Sequence, residues 1–110
     1  MYAGRDFSPQ ENDESEVLEL DFVNDLDSGE TVMSSTWTLI VVAGIDPDPN
    51  SHLEGPSLPV VPKDGSLMTA TIQRVGGILP GVTYATHAQV VTTLGNSRNL
   101  YSHIRGISVI

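Results

Sequence analysis

Residues 79–93, Leu-Pro-Gly-Val-Thr-Tyr-Ala-Thr-His-Ala-Gln-Val-Val-Thr-Thr, contain a turn followed by a strand. Proline fixes its own φ for the first corner of a turn, and glycine accepts the positive φ that the second corner demands. From Val82 the apolar side chains fall on alternate positions, with Val82, Tyr84, Ala88 and Val90 on one face. Alternation of period two is what a strand with one buried face produces, and the β-branched content favours a strand over a helix.

The same grammar extends in both directions. Leu94-Gly95-Asn96-Ser97 reads as a hairpin. Residues 99–109 read as a last strand whose inward set changes parity near Gly106, from Leu100 and Ile104 to Ile107 and Val109, as a bulge at the glycine would produce. Upstream, residues 67–75 alternate with Met68, Ala70 and Ile72 inward. Residues 31–42 alternate with Met33, Ser35, Trp37, Leu39 and Val41 on one face, and residues 16–22 with Leu18, Leu20 and Phe22. Five of the seven prolines fall in residues 43–66. Proline cannot donate to a central ladder, so this stretch admits only short edge strands, with residues 58–61 the candidate. No window shows a 3.6-residue period. Short strands separated by turn signals predict an all-β, antiparallel β-sandwich over residues 16–110.

Residues 1–15 are polar and acidic and lack periodicity, which predicts a flexible or extended N-terminal arm. Tyr2 and Phe7 are its only large apolar side chains, and an arm carrying two aromatics is suited to docking on a partner. These residues contain no apolar run of the signal-peptide kind, and no stretch approaches the roughly 20 apolar residues that span a bilayer. The chain has no cysteine, so disulfides and thiolate metal sites are excluded, in keeping with assembly in a reducing cytoplasm.

Charge is strongly segregated. Residues 1–64 hold all 14 acidic side chains, opposed only by Arg5 and Lys63, whereas residues 65–110 hold no acid and three arginines, Arg74, Arg98 and Arg105. The net charge of −9 argues against nucleic acid as a partner, since phosphate repulsion outweighs three scattered cations. Acidic side chains solubilise a small domain. Segregated charge can also orient it against a neighbour, with the three arginines as contact candidates.

The run Leu79-Pro80-Gly81-Val82-Thr83-Tyr84 resembles the tyrosine corner of fibronectin type III and related immunoglobulin-like sandwiches, in which the tyrosine hydroxyl bonds a backbone group a few residues upstream. Trp37, inward on an early strand, resembles their core tryptophan. The resemblance makes Trp37, Pro80, Gly81 and Tyr84 structural residues and implies no activity. A narrower resemblance spans most of the chain. Residues 14–37 (ESEVLELDFVNDLDSGETVMSSTW), the LPGVTY run and the VVTTLGNSRNL segment are similar to small tailed-phage and prophage virion proteins of the fiber–tail adaptor kind. Its best-matching pieces are the acidic-apolar first strand, a D-x-G-E-T turn, S-S-x-W, and a late T-T-x-G-N hairpin. What it implies is a structural virion protein in several copies per particle, bound to other phage proteins of the tail, fiber or capsid.

The chemical alternatives are weak. Asp25, Asp27 and Glu30 do not fit an EF-hand loop, because Gly29 occupies a ligand position and the closing glutamate is missing. Asp46-Pro47-Asp48-Pro49 reads equally well as an extended turn. His87 and His103 fall on outward positions of two late strands, where a cross-strand pair is possible, but a zinc site needs about four close ligands. No G-x-S-x-G elbow and no G-x-x-x-x-G-K-[ST] loop is present. The expectation is a protein without catalysis, cofactor, metal, membrane or small-molecule substrate, acting as a tail adaptor. A capsid decoration protein is the alternative, followed by a carbohydrate-binding or adhesion module for which Tyr2 and Tyr101 are the available aromatics.

Overall fold

The computed structural model describes residues 1–62 and 67–108. In chain order these residues form β1 (Gln10–Glu11), β2 (Ser15–Asp21), β3 (Val32–Ala43), a 3-10 turn (Pro49–His52), β4 (Leu53–Pro59), β5 (Ala70–Gly76), β6 (Thr83–Thr92) and β7 (Ser97–Ile107). Two sheets result, one of order β1-β7-β6-β3 and one of order β2-β5-β4. Every pairing is antiparallel except that of β1 with β7. Counting from β2, the arrangement 2-5-4 against 3-6-7 matches the B-E-D and C-F-G strands of an immunoglobulin-like sandwich. The fold is an all-β sandwich.

Alternation places the core between the sheets. Leu18 and Leu20 of β2, Trp37 and Leu39 of β3, and Tyr84, Ala88 and Val90 of β6 are buried, with Phe22 just beyond β2. Leu79 to Val82 closes a turn through Val82 N–H to Leu79 O at 3.3 Å. Pro80 and Gly81 sit at its two corners, and Gly81 has a φ of 79°, as a type II turn requires.

Three expected faces are corrected. Met33 is 62% exposed, because a register shift between Val32 and Ser34 turns Val32 into the core instead. On β5 the inward residues include Thr71, Gln73 and Val75. Met68 and Ile72, expected inward, are only half-buried, while Ala70 is buried. The cause is register: Leu20 lies opposite Thr71 and Leu18 opposite Gln73, and opposite residues share a face. On β7 no parity switch occurs up to Ile107. Leu100, Ser102, Ile104 and Gly106 keep one buried face, and the β6–β7 register runs without a shift from Val91–Ser97 to Thr83–Arg105. Val109 lies outside the described residues.

Glycine at position 106 has a different reason. A Cβ there would collide with the Leu79 carbonyl. Close approach lets Gly81 N–H reach Gly106 O at 2.8 Å and Gly106 N–H reach Val82 O at 2.9 Å, sewing the corner to β7.

The proline-rich stretch carries an edge strand, β4, that begins earlier than the expected residues 58–61. Its register against β5 shifts between Glu54 and Leu58. Gln73 compensates, its Nε2 lying 3.3 Å from the Glu54 carbonyl and 3.0 Å from that of Gly55. A second polar relay crosses the sandwich. Trp37 Nε1–H donates to Thr71 Oγ1 at 3.2 Å, Thr71 to Ser35 Oγ at 2.6 Å, and Ser35 to Ser57 Oγ at 2.8 Å. These bonds give the buried Thr71 and Gln73 side chains their partners.

The arm is extended and runs along β7. Tyr101 N–H donates to Met1 O at 2.9 Å, Ala3 N–H to Tyr101 O at 2.8 Å, and Phe7 N–H to His103 O at 2.9 Å, before β1 pairs in parallel with Gly106 and Ile107. The Gln10 side chain, wholly buried, crosses to the other sheet and donates to Val75 O at 3.0 Å.

Candidate interaction surfaces

Tyr84 forms the expected corner and more. Leu79 N–H, five residues upstream, donates to its hydroxyl at 3.1 Å. The hydroxyl in turn donates to Asp46 Oδ2 at 2.7 Å, and the same oxygen lies 2.8 Å from His52 Nε2. Asp46 Oδ1 accepts Asp48 N–H at 3.0 Å, so the Asp-Pro-Asp-Pro stretch is an Asx turn whose first carboxylate latches the corner. Burial, then the hydrogen bond to Asp46, pushes the Tyr84 phenol up to about 12. The Tyr84 hydrogen bond holds the Asp46 carboxyl below its ordinary range despite burial. A phenol that stays protonated and a carboxylate engaged on both oxygens make a structural clasp.

Glu30 joins two turns. Its Oε1 accepts Asp27 N–H at 2.9 Å, and its Oε2 accepts Asn96 Nδ2–H at 2.8 Å and the Thr92 hydroxyl. Arg98 Nη2 lies 3.3 Å from both Glu30 Oε1 and Asp27 Oδ2. Hydrogen bonds led by Thr92 draw the Glu30 carboxyl down to about 2. The D-x-G-E-T turn and the T-T-x-G-N hairpin, far apart in sequence, are therefore one structural unit. Asp25, Asp27 and Glu30 do not gather as cation ligands. Among the described residues, no group of three or more His, Asp or Glu side chains is placed to hold a metal ion.

The aromatics of the arm diverge. Phe7 packs against the core. Tyr2 lies on the outside, its ring centroid 5.5 Å from that of Tyr101 and 5.9 Å from that of His103, with Tyr101 and His103 5.6 Å apart. The Tyr2 hydroxyl donates to Asp6 Oδ1 at 2.6 Å, which lifts the phenol and lowers the carboxyl. His103 faces this cluster, and His87 stands directly opposite Tyr101, so the two histidines are diagonal neighbours.

The three arginines do not converge. Arg98 is committed to Asp27 and Glu30. Arg74 is on β5, where its guanidinium lies 3.3 Å from Ser15 Oγ, and Arg105 is exposed near the end of β7 opposite Thr83.

What the sheets do assemble is an outer face poor in charge. Outward positions of β3 are Ser34, Thr36, Thr38, Ile40 and Val42; those of β6 are Thr83, Ala85, His87, Gln89 and Val91; those of β7 are Asn99, Tyr101, His103 and Arg105. Two rows cross it: Ile40–Ala85–His103 and Thr38–His87–Tyr101, the second extended by Tyr2. Ile40 and Val42 are each 51% exposed. The charges of this face lie toward one side: Arg105 on β7, Glu11 on β1 and Asp6 beside Tyr2, in a chain of net charge −9, whereas the outward positions of β3 and β6 carry no Asp, Glu, Lys or Arg. Sequence reading missed the face because its members are individually ordinary; outward parity on three adjacent strands was the available signal.

No family model matches the chain, and neither a curated protein nor a solved structure does.

Proposed function

We propose that this chain is a non-catalytic structural protein of a tailed-phage particle, an adaptor that attaches a fiber or a neighbouring tail protein through the outer face of its four-stranded sheet. The observation that carries the reading is the face's charge-poor centre on β3 and β6, with Ile40, Val42, Tyr101 and Tyr2 accessible on the sheet and its charges kept to the side of β7 and β1. Protein interfaces are depleted of charge at their centre and enriched in tyrosine, and apolar side chains grouped on one surface mark contact sites. The resemblance of the LPGVTY, D-x-G-E-T and T-T-x-G-N pieces to fiber–tail adaptor proteins supplies the particle. Assembly in several copies in the host cytoplasm and final residence in the virion are part of the same proposal.

Immunogold labelling of intact particles tests it. Gold at the tail supports the adaptor, and the number of grains per tail gives the copy number. Gold over the shell would replace the adaptor with a decoration protein. Absence from intact and disrupted particles alike would overturn the virion reading.

The cluster of Tyr2, Tyr101 and His103 favours one second reading, a glycan-binding or adhesion module, because sugar rings stack on exposed aromatics. A glycan array without hits removes it.

A further inference from the structure

In an immunoglobulin-like sandwich of the constant type, the first strand lies beside the second in the same sheet. Here the N-terminal segment pairs with β7 in the other sheet, and among the described residues no strand covers the outer edge of β2. Ladder geometry identifies which groups are left open. Phe22 N–H bonds Thr69 O at 2.8 Å and Gly77 N–H bonds Glu14 O at 3.1 Å, in the same register as the β2–β5 pairs. Even-numbered residues of β2 therefore bond β5, and the N–H and C=O groups of Val17 and Glu19 point away from it.

That edge opens on a groove of about 740 Å³ between β2 and the arm, lined on the arm side by Ala3, Arg5 and Phe7. Its polar lining is acidic: Asp6, Glu16, Glu19 and Asp21 against Arg5 alone. We propose that the groove accepts an extended segment of another protein, which adds to β2 as a new first strand and carries arginine or lysine at alternate positions. Backbone pairing with Val17 and Glu19 supplies the register, as in other β-augmented complexes. Side chains of the added strand on the inner side continue the surface of Leu18 and Leu20 toward Phe7 and are apolar. Those on the outer side align with Glu19 and Asp21 and are basic. Edge-to-edge pairing of two copies of this chain would bring the same acids together, so the charges that block self-association select a cationic partner. From the proposed function this inference takes only that the domain binds proteins, and it concerns the other sheet.

The test uses the full chain and a capped heptapeptide alternating arginine and valine, with an alternating glutamate–valine peptide as control. Binding is followed by calorimetry and by amide hydrogen exchange. The arginine peptide is expected to bind and to slow exchange at Val17 and Glu19, and the glutamate peptide to do neither. Val17→Pro removes an N–H that β5 does not use, leaving the ladder intact, and should weaken binding at least tenfold with an unchanged unfolding midpoint. Glu19→Lys should weaken it comparably while keeping the backbone donor. No binding of the arginine peptide, shifts confined to the outer face of β3, β6 and β7, or slow exchange at Val17 and Glu19 in the free protein would overturn the inference. Incorporation of the domain into particles, measured separately, would then still stand for the proposed function.

Discussion

The Glu30 carboxylate accepts a 2.8 Å hydrogen bond from the Asn96 side-chain amide, tying the loop before β3 to the β6–β7 hairpin. Thr92 and Arg98 complete the cluster from the hairpin side. A carboxyl drawn down to about 2 from 4.5 binds its proton more weakly in the folded state than in the unfolded chain. Its contribution to stability is therefore complete above about pH 4.5 and is lost as pH falls toward 2. Urea midpoints measured between pH 6 and pH 2 should decline across that window, and Glu30→Gln should flatten the decline while lowering the midpoint at pH 6. An unchanged profile in the variant would assign the acid sensitivity elsewhere.

Tyr84 makes two hydrogen bonds through one hydroxyl, one of them to a carboxylate. Tyr84→Phe leaves Leu79 N–H and Asp46 short of a partner inside the fold, so it should cost about 2 kcal/mol, more than one neutral hydrogen bond. Asp46→Asn retains an acceptor and should cost less. Equilibrium urea unfolding separates the two.

At Gly106 an added methyl meets the Leu79 carbonyl. Gly106→Ala should destabilise by about 1–3 kcal/mol, the range for overpacking a filled site, and should shift the amide resonances of Gly81 and Val82. A neutral effect on the midpoint would show that the corner yields.

Trp37 fills the space between the sheets and holds Thr71 in the polar relay. Its removal as Trp37→Ala should cost about 3–5 kcal/mol, a large share of the roughly 5–15 kcal/mol that holds a domain folded. Urea unfolding followed by far-ultraviolet circular dichroism should show a much lower midpoint, and an unchanged midpoint would contradict the core role of Trp37.

The strands with apolar inward faces were legible in the sequence. Leu18, Leu20 and Phe22, like Tyr84, Ala88 and Val90, alternate in plain view and are buried. Strand β5 misleads because two of its inward residues, Thr71 and Gln73, are polar and serve the Trp37 relay and the irregular β4. Its apolar Ile72 sits on the other parity, and only pairing with β2 decides between the faces. At Met33 simple alternation crosses a register shift that a local pattern does not encode. Tyr84 was recognisable from Pro80-Gly81 in front of it, whereas its acceptor Asp46 is 38 residues away in what reads as a simple turn. The arm's course beside β7 is a long-range backbone pairing, invisible to composition.

The proposed role rests on the charge-poor outer face, so the most direct measurement is the amount of this chain in purified particles when that face is altered. Ile40 and Tyr101 lie on the outer face, with Ile40 half-exposed, so Ile40→Glu and Tyr101→Ala should leave the fold intact, as unfolding midpoints close to that of the parent would verify. Quantitative immunoblotting of particles assembled with each variant should show the wild-type chain present and Ile40→Glu reduced at least tenfold, with Tyr101→Ala also reduced. Incorporation of both folded variants at the wild-type level would contradict attachment through this face.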